Sequence, residues 1–308
     1  MISILVPLLA GLALFMGGMR LMRIGLFNIA GERMRHWLVR FTKTPTRGMV
    51  TGTIVTMLIQ SSSAVSVITM GLANAGLLTF PRTIGIILGT NIGTTFTTQL
   101  IALNLTGMAF PIFVLGCILW LIRHPVIRAV GASVAGFGCV FIGIQVMQKI
   151  ALPLQHTQLF ADVMTQMSSH HMGGILIGTV FTAILHSSSA VTAITMGFMN
   201  ENAIPLTMGI AIILGSNVGT CITAILAAIG GNTASKRVAW VHVFLNVTGV
   251  LLFLPFIQLL AHTVTALTDQ PGLQIAHAQT IFNVVCSLLA LPFTKAIAKL
   301  AALSIKEN

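Results

Sequence analysis

An internal repeat of polar clusters within apolar segments is the feature that most constrains the fold of this chain. Residues 61–65 (SSSAV) recur as residues 187–191, an offset of 126 residues (187 − 61). At the same offset, residues 86–94 (IILGTNIGT) recur as residues 212–220 (IILGSNVGT), and no gap is needed between the two matches. A chance match between apolar helices would share Leu and Val rather than Ser-Ser-Ser and Gly-x-Asn-x-Gly-Thr. The chain therefore contains two related halves.

The segments around these clusters are too apolar for a water-soluble protein. Apolar residues make up 56% of the 308 residues and charged residues only 7%, whereas soluble domains carry about 25% charged residues. This composition excludes a soluble globular protein, which could not cover its surface, and it excludes a disordered chain. Because about 20 apolar residues cross a bilayer as a helix, we predict an all-α polytopic membrane protein with a single transmembrane domain over residues 1–308.

Each half holds two apolar segments, and each segment has a polar break near its middle. The first half covers about residues 48–104 and the second about residues 172–230. Irregular polar backbone at membrane depth is tolerated only where it lines a cavity or is buried in protein, and matched breaks in two halves indicate a transporter site. We predict that each half contains a re-entrant helical hairpin at the serine triplet and a transmembrane helix broken at the Asn-Gly-Thr cluster. Flanking scaffold helices are predicted over about residues 2–22, 108–122, 129–148, 238–260 and 279–297.

The basic residues lie between apolar segments, so their excess predicts membrane topology rather than nucleic-acid binding. The chain has 16 Lys and Arg against 5 Asp and Glu. With re-entrant hairpins, every basic residue except Lys149 lies on the cytoplasmic side, beginning with Arg20 and Arg23 at the end of the first helix and continuing through a loop to residue 47. Fully spanning hairpins would move Arg82 and two further arginines outside. We therefore predict two inverted repeats in the cell membrane, with a cytoplasmic C-terminus.

The polar clusters carry the chemistry of a site for an anion and a cation. A half-helix that starts at membrane depth directs free N–H groups at an anion, whereas one that ends there directs carbonyl oxygens at a small cation. Hydroxyls add donors and acceptors. No Asp, Glu, Lys or Arg lies in the clusters, so sodium coupling is favoured over a proton relay through carboxylates. His186 either has a protonic role or forms hydrogen bonds as Gln60 does in the first half.

At the two serine triplets and the paired Gly-(Thr/Ser)-Asn-(Ile/Val)-Gly-Thr clusters, the chain resembles the sodium–phosphate cotransporter family, which includes bacterial carriers and the type II carriers of animal epithelia. The resemblance runs from Met1 to about Lys299. It implies symport of inorganic phosphate with sodium as the coupling ion and with no cofactor. The implied partners are phosphate, sodium and membrane lipids. The oligomeric state is left open, with a homodimer as one option.

The clusters and the resemblance together predict the binding region. The candidate substrate- and ion-binding residues are Gln60, Ser61, Ser62, Ser63, Thr90, Asn91, Gly93, Thr94, His186, Ser187, Ser188, Ser189, Ser216, Asn217, Gly219 and Thr220. The candidate sodium ligands among them are Ser61, Ser63, Asn91, Ser187, Ser189 and Asn217.

The sequence departs from the family pattern at two points. Three alternative functions also have to be weighed against the predicted one. The second motif begins with His186 where the family has Gln, and many bacterial members carry a soluble helical domain that this chain, ending at Asn308, is expected to lack. A carrier of another oxyanion or of a carboxylate stays open, as does an ion channel. An intramembrane serine hydrolase is disfavoured, because the triplets lack a Gly-x-Ser-x-Gly elbow, and we do not expect an enzyme.

Overall fold

The computed structural model describes residues 2–103, 105–158, 160, 162 and 171–306, and its regular structure in those ranges is entirely helical. Short 3-10 segments at Leu105–Met108, Leu254–Phe256 and Leu291–Phe293 each lead into an α-helix. The α-helices are α1 (Ile2–Arg40), α2 (Pro45–Ile59), α3 (Ser62–Asn74), α4 (Phe80–Ala102), α5 (Ala109–Leu121), α6 (Pro125–Gln155), α7 (His171–Leu185), α8 (Ser188–Asn200), α9 (Leu206–Ala228), α10 (Thr233–Phe253), α11 (Ile257–Leu267), α12 (Pro271–Ala290) and α13 (Thr294–Ser304).

Several helical stretches among the described residues are long and apolar enough to cross a membrane. A further span exists if α4 and the stretch Leu105–Leu121, which meet at a bend of 75°, are counted as one. These stretches confirm the predicted class, an all-α multi-pass membrane protein. The five single stretches are Leu5–Arg40, Pro125–Gln155, Leu206–Ala228, Thr233–Leu267 and Pro271–Ser304.

The chain reverses its direction after α2. The helices α2 and α3 have 15 and 13 residues, so each is about 20 Å long and falls short of the ~30 Å hydrocarbon core of a bilayer. The carbonyl of Pro45, at the start of α2, lies against Gly85, close to the start of α4. The helix α3 must therefore run back beside α2 to reach Phe80, where α4 begins. The helices α2 and α3 form the first hairpin, and α7 and α8, of the same lengths, form the second.

Small residues bring the first helix of each hairpin into backbone contact with the long helix that follows the hairpin. Thr53 Oγ1 of α2 donates a hydrogen bond to the Gly89 carbonyl of α4 at 3.2 Å, and its equivalent Thr179 of α7 donates to the Gly215 carbonyl of α9 at 3.1 Å. The two halves therefore share one local structure, in which close approach of small residues holds helices together in lipid. Glycines without room for a Cβ recur along both contacts at Gly52, Gly89, Gly93, Gly178, Gly215 and Gly219.

The breaks predicted at the Asn-Gly-Thr clusters are wrong. The helices α4 and α9 are uninterrupted helices of 23 residues each. Their hydroxyls bond back to the preceding turn, with Thr94 Oγ1 donating to the Thr90 carbonyl and Thr220 Oγ1 donating to the Ser216 carbonyl, each at 2.8 Å. The polar side chains are thus satisfied within the helix, and the glycines of the motif serve helix contact rather than a turn.

The prediction that the first helix ends near residue 22 and leads into a cytoplasmic loop is also wrong. The helix α1 continues to Arg40 and contains 39 residues, which makes it about 58 Å long. Its second half packs on the first hairpin, because Met34 and Leu38 share a buried apolar cluster with Val55 and Leu72. The helix therefore passes the tip of the first hairpin near its own middle.

The other scaffold helices lie close to their predicted positions. The helix α5 matches the prediction for residues 108–122, and α6 extends the prediction for residues 129–148 at both ends. The predicted helices over 238–260 and 279–297 are each divided by a 3-10 segment of sequence LPF, because Pro lacks the N–H that a continuing helix needs. The external loop predicted after Lys149 begins later, because α6 continues to Gln155, and residues 159, 161 and 163–170 of that loop lie outside the described residues.

Candidate functional site

Each serine triplet forms the tip of a hairpin. Gln60 and His186 occupy equivalent positions and both adopt the left-handed conformation, with φ of 59° and 52°. The next residues, Ser61 and Ser187, cap α3 and α8, because each Oγ accepts a hydrogen bond from the N–H group three residues further on, at 3.2 Å and 3.3 Å. Short hydroxyl side chains are preferred at this capping position. Each tip thus joins the carbonyl end of one helix to the N–H end of the next.

The two tips face one another across a small polar cavity of about 100 Å³. The two triplets, Gln60, His186, Thr94 and Thr220 are predicted binding residues that the structure brings together here. The lining offers hydroxyls, one amide, one imidazole and one guanidinium, and no carboxylate among the described residues. The lining residues are Arg23, Gln60, Ser61, Ser62, Ser63, Thr94, Thr97, His186, Ser187, Ser188, Ser189, Thr220 and Thr223.

Five predicted binding residues are engaged in helix structure instead of lining this cavity. The side chains of Thr90, Ser216 and Asn217 donate hydrogen bonds to carbonyls of their own helices at 2.7 to 2.8 Å. Gly93 and Gly219 lie against the neighbouring helices α2 and α7. The two glycines thus serve the contact of α4 and α9 with the hairpins, whereas the three polar side chains are satisfied within their own helices.

Asn91, the sixth residue outside the tip cavity, lies at a different cavity. Its Nδ2 donates a hydrogen bond to Asn246 Oδ1 of α10 at 3.2 Å. Both residues, with Asn283 of α12, line a largely apolar cavity of about 370 Å³. Of the six candidate sodium ligands, the structure therefore groups the four serines and separates Asn91 and Asn217 from them.

The sequence analysis missed Arg23, which it assigned to the cytoplasmic end of the first helix. Arg23 lies on α1 at the level of the first tip, and its Nε donates a hydrogen bond to the Gln60 carbonyl at 2.8 Å. The side chain also lines the tip cavity. The available signal was the apolar spacing of Met34 and Leu38, which continues the helix beyond Arg23.

Two threonines at equivalent positions were also missed. Thr223 of α9 is hydrogen-bonded to Ser63 of the first hairpin, with 3.1 Å between the two hydroxyl oxygens. Thr97 of α4 is its counterpart and lines the same cavity beside the second hairpin. Each lies three residues after the last Thr of the repeated cluster, so the offset of 126 residues (223 − 97) already marked them.

The cavity provides ligands of two kinds. The guanidinium, the serine hydroxyls and the first N–H groups of α3 and α8 can donate hydrogen bonds to an oxyanion. Hydroxyl and tip carbonyl oxygens are ligands for a hard cation. Among the described residues, no group of three His, Cys, Asp or Glu side chains could hold a metal ion. The arrangement therefore suits a small oxyanion that binds together with an alkali cation.

The fold and the cavity define a multi-pass helical membrane protein of the transporter class, with two related halves that enclose a polar site. The family described as Na+/Pi-cotransporter matches residues 14–149 and 154–268. The chain belongs to this Na+/Pi-cotransporter family, which is a family of transporters.

Three similar proteins extend this assignment. The uncharacterized protein YqeW of Bacillus subtilis (strain 168) is 40% identical over 302 residues, covering 98% of this chain and 98% of YqeW. The putative inorganic phosphate export protein YjbB of Escherichia coli (strain K12) is 25% identical over 306 residues, covering 99% of this chain but only 56% of YjbB. Sodium-dependent phosphate transport protein 2B of Rattus norvegicus is 40% identical over 85 residues, covering 26% of this chain and 12% of the rat protein. No solved structure matches the chain.

Proposed function

We propose that this protein is a secondary active transporter that carries inorganic phosphate together with sodium across the cell membrane by alternating access. The observation that carries the proposal is that both serine triplets and Arg23 line one polar cavity, in a member of the Na+/Pi-cotransporter family. The names of the E. coli and rat relatives support phosphate as the substrate, and the name of the rat relative supports sodium as the coupling ion.

Two contacts support an inverted arrangement of the halves. Ser63, near the start of α3, is hydrogen-bonded to Thr223 of α9, and Asn74, at the end of α3, accepts a hydrogen bond from Ser235 Oγ just beyond α9 at 2.9 Å. The helix α3 and the last part of α9 therefore run in the same direction. Since α9 is parallel to α7 and α3 is antiparallel to α2, the first helices of the two hairpins point in opposite directions. Re-entrant hairpins that meet at their tips have this geometry.

The charged residues support a cytoplasmic location for the base of the first hairpin. Arg237, two residues after Ser235, donates a hydrogen bond from Nε to the Ile305 carbonyl at 3.0 Å, so the C-terminal end of α13 lies on the same side. At the base of the second hairpin, Gln155 donates a hydrogen bond to the Glu201 carbonyl at 3.3 Å. The excess of basic residues on one side then follows the positive-inside rule. The basic residues at the first base include Lys43, Arg47, Arg82, Lys236, Arg237 and Lys306.

An asymmetry between equivalent contacts supports alternating access. Ser63 and Thr223 are hydrogen-bonded and bridge α3 to α9. Their counterparts Ser189 and Thr97 share no hydrogen bond in the described part of the chain. One helical turn further along α4 and α8 from that unbonded pair lies a partly polar cavity of about 330 Å³, whose lining includes Ala102, Ala193, Met196 and Asn200. The conformation is thus closed towards the base of the first hairpin and more open towards the base of the second hairpin, as expected of one state in a two-state cycle.

Sodium coupling has a direct electrostatic reason. Hydrogen phosphate carries two negative charges near neutral pH, and an uncompensated charge is costly in a low-dielectric interior. A sodium ion bound at hydroxyl and carbonyl oxygens of the tips lowers that cost. The direction of net transport then follows the two gradients, so the same site serves import or export.

The experiment is phosphate flux in liposomes that contain the purified protein. Labelled phosphate should accumulate under an inward sodium gradient and leave loaded vesicles under an outward one. Protein-free liposomes are the control. Equal flux under a potassium gradient would overturn sodium coupling, and a sustained ionic current far above carrier turnover would indicate a channel instead.

A further inference from the structure

Arg23 supplies the one guanidinium that lines the tip cavity among the described residues. Its Nε is committed to the Gln60 carbonyl at the end of α2, which leaves the terminal amino groups without another protein partner in the described part of the chain. A guanidinium has five N–H donors, so four of them stay available to a ligand. The left-handed conformation of Gln60, with φ of 59°, is the bend that exposes this carbonyl at the tip.

Among the described residues, the positive charge of Arg23 has no acidic partner nearby. The chain has 5 acidic residues, and none of those described lines the cavity. Glu32 lies on the same helix, but nine residues further along α1, which is about 13 Å. A cationic side chain at membrane depth without a counterion is energetically costly, and such a side chain normally pairs with an anionic group when the protein functions. The pairing group that this cavity lacks is therefore an anion from outside the chain.

Arg23 is held in place by the scaffold and not by the hairpins alone. On α1, Gly18 and Gly25 flank Arg23 and lie against the backbone of α6 at Gly136 and Ala129, with no room for a Cβ. This tight contact fixes the position of α1 along α6. A charged group on a backbone that is already fixed in position loses less conformational entropy when it binds a ligand.

We infer that Arg23 anchors the transported oxyanion, with its terminal amino groups donating two parallel hydrogen bonds to two oxygens of a tetrahedral dianion. This inference rests on the proposed function. The planar fork of Arg matches such an oxyanion in a way that Lys does not. The serine hydroxyls of both tips remain to bind the other oxygens and sodium. The arginine cancels one of the two negative charges, so a single co-bound sodium makes the loaded site neutral.

The test measures ligand-induced thermal stabilisation of the purified protein in detergent, first with sodium chloride alone and then with added inorganic phosphate, each against a potassium control. The variants are Arg23→Gln and Arg23→Lys. The matched control is Arg20→Gln, which removes the same charge one turn earlier on α1, where the side chain is exposed. Phosphate-dependent shifts in melting temperature are converted to apparent affinities by mass action.

For Arg23→Gln we expect a sodium-induced shift like that of the wild type and at least a tenfold weaker apparent affinity for phosphate. Arg23→Lys should recover part of the affinity, and Arg20→Gln should match the wild type. If Arg23→Gln does not fold, Arg23→Lys alone decides, and wild-type phosphate affinity in that variant overturns the inference. Wild-type affinity in Arg23→Gln also overturns it. If the wild-type protein itself shows no phosphate-induced shift in sodium, the proposed function fails rather than the role of Arg23.

Discussion

The hydrogen bond between Ser63 and Thr223 gives the most specific prediction about the transport cycle. It joins α3 to α9 at 3.1 Å, and a hydrogen bond between neutral groups contributes about 1 kcal/mol net. Thr223→Val keeps the shape of the side chain and removes the hydroxyl. Because 1.4 kcal/mol corresponds to a tenfold change, the loss should raise the population open towards the first base about fivefold.

Thiol labelling of a buried reporter measures this population. Met70 on α3 is 3% exposed and packs in one cluster with Ala224 of α9, so Met70→Cys reports separation of the two helices, in a background where the native cysteines are replaced by Ala. Thr223→Val should raise the labelling rate by a water-soluble reagent about fivefold. The matched control is Thr97→Val, at the equivalent position on α4, which should leave the rate unchanged or lower it. Equal rate increases in both variants, or no change in either, would refute a latch at this contact.

Three further predictions concern the tips, the helix contacts and the substrate. Ser61→Ala removes the cap of α3, which costs about 1 kcal/mol, and should reduce sodium-driven phosphate uptake in liposomes. The control Ser66→Ala removes a buried hydroxyl without a hydrogen-bond partner and should leave uptake near wild type. Equal loss of uptake in both variants would argue against a site at the tip. Gly93→Ala would place a Cβ 2.6 Å from Thr56 Cβ and should lower the melting temperature. In the control Gly71→Ala the new Cβ meets nothing within 4 Å, and the free energy of unfolding should rise by about 0.5 to 1 kcal/mol. A Gly93→Ala protein as stable as the wild type would contradict the close contact. Arsenate and sulfate, as tetrahedral oxyanions, should inhibit labelled phosphate uptake more strongly than succinate, and preferential inhibition by succinate would favour a carboxylate carrier.

The hairpin tips could be predicted from sequence because their structure is set locally. A residue in the left-handed conformation followed by a capping Ser is a short-range arrangement, and the pairs Gln60–Ser61 and His186–Ser187 have the same backbone at an offset of 126 residues. The repeat itself also indicated that the two clusters belong together. The apolar composition was enough for the class of the fold.

The continuity of α4 and α9 was not predictable from the same pattern. A run of Thr, Asn and Gly in an apolar segment is compatible with a break or with an intact helix whose hydroxyls bond to the preceding turn. The choice depends on the neighbouring helix, since Gly89 and Gly215 make room for α2 and α7. That contact joins residues about 36 positions apart, as in the bond from Thr53 to Gly89.

The position of Arg23 was missed for a similar reason. Positive residues after an apolar stretch normally mark its cytoplasmic end, and the rule misplaces a residue that lies in mid-helix and lines the tip cavity. The spacing of Met34 and Leu38 was the one signal in the sequence, and their packing on the first hairpin shows that α1 continues past this point.

The central claim is that the two serine triplets and Arg23 enclose one site for the oxyanion. Anomalous diffraction from crystals of the protein grown with sodium and arsenate tests it directly, because arsenic locates the oxyanion without reference to the protein density. We predict one arsenic peak between the triplets, within hydrogen-bonding distance of the Arg23 guanidinium, that is lost when potassium replaces sodium. A peak at the cavity beside Asn91 and Asn246, or a peak at the tips that is indifferent to sodium, would contradict the account.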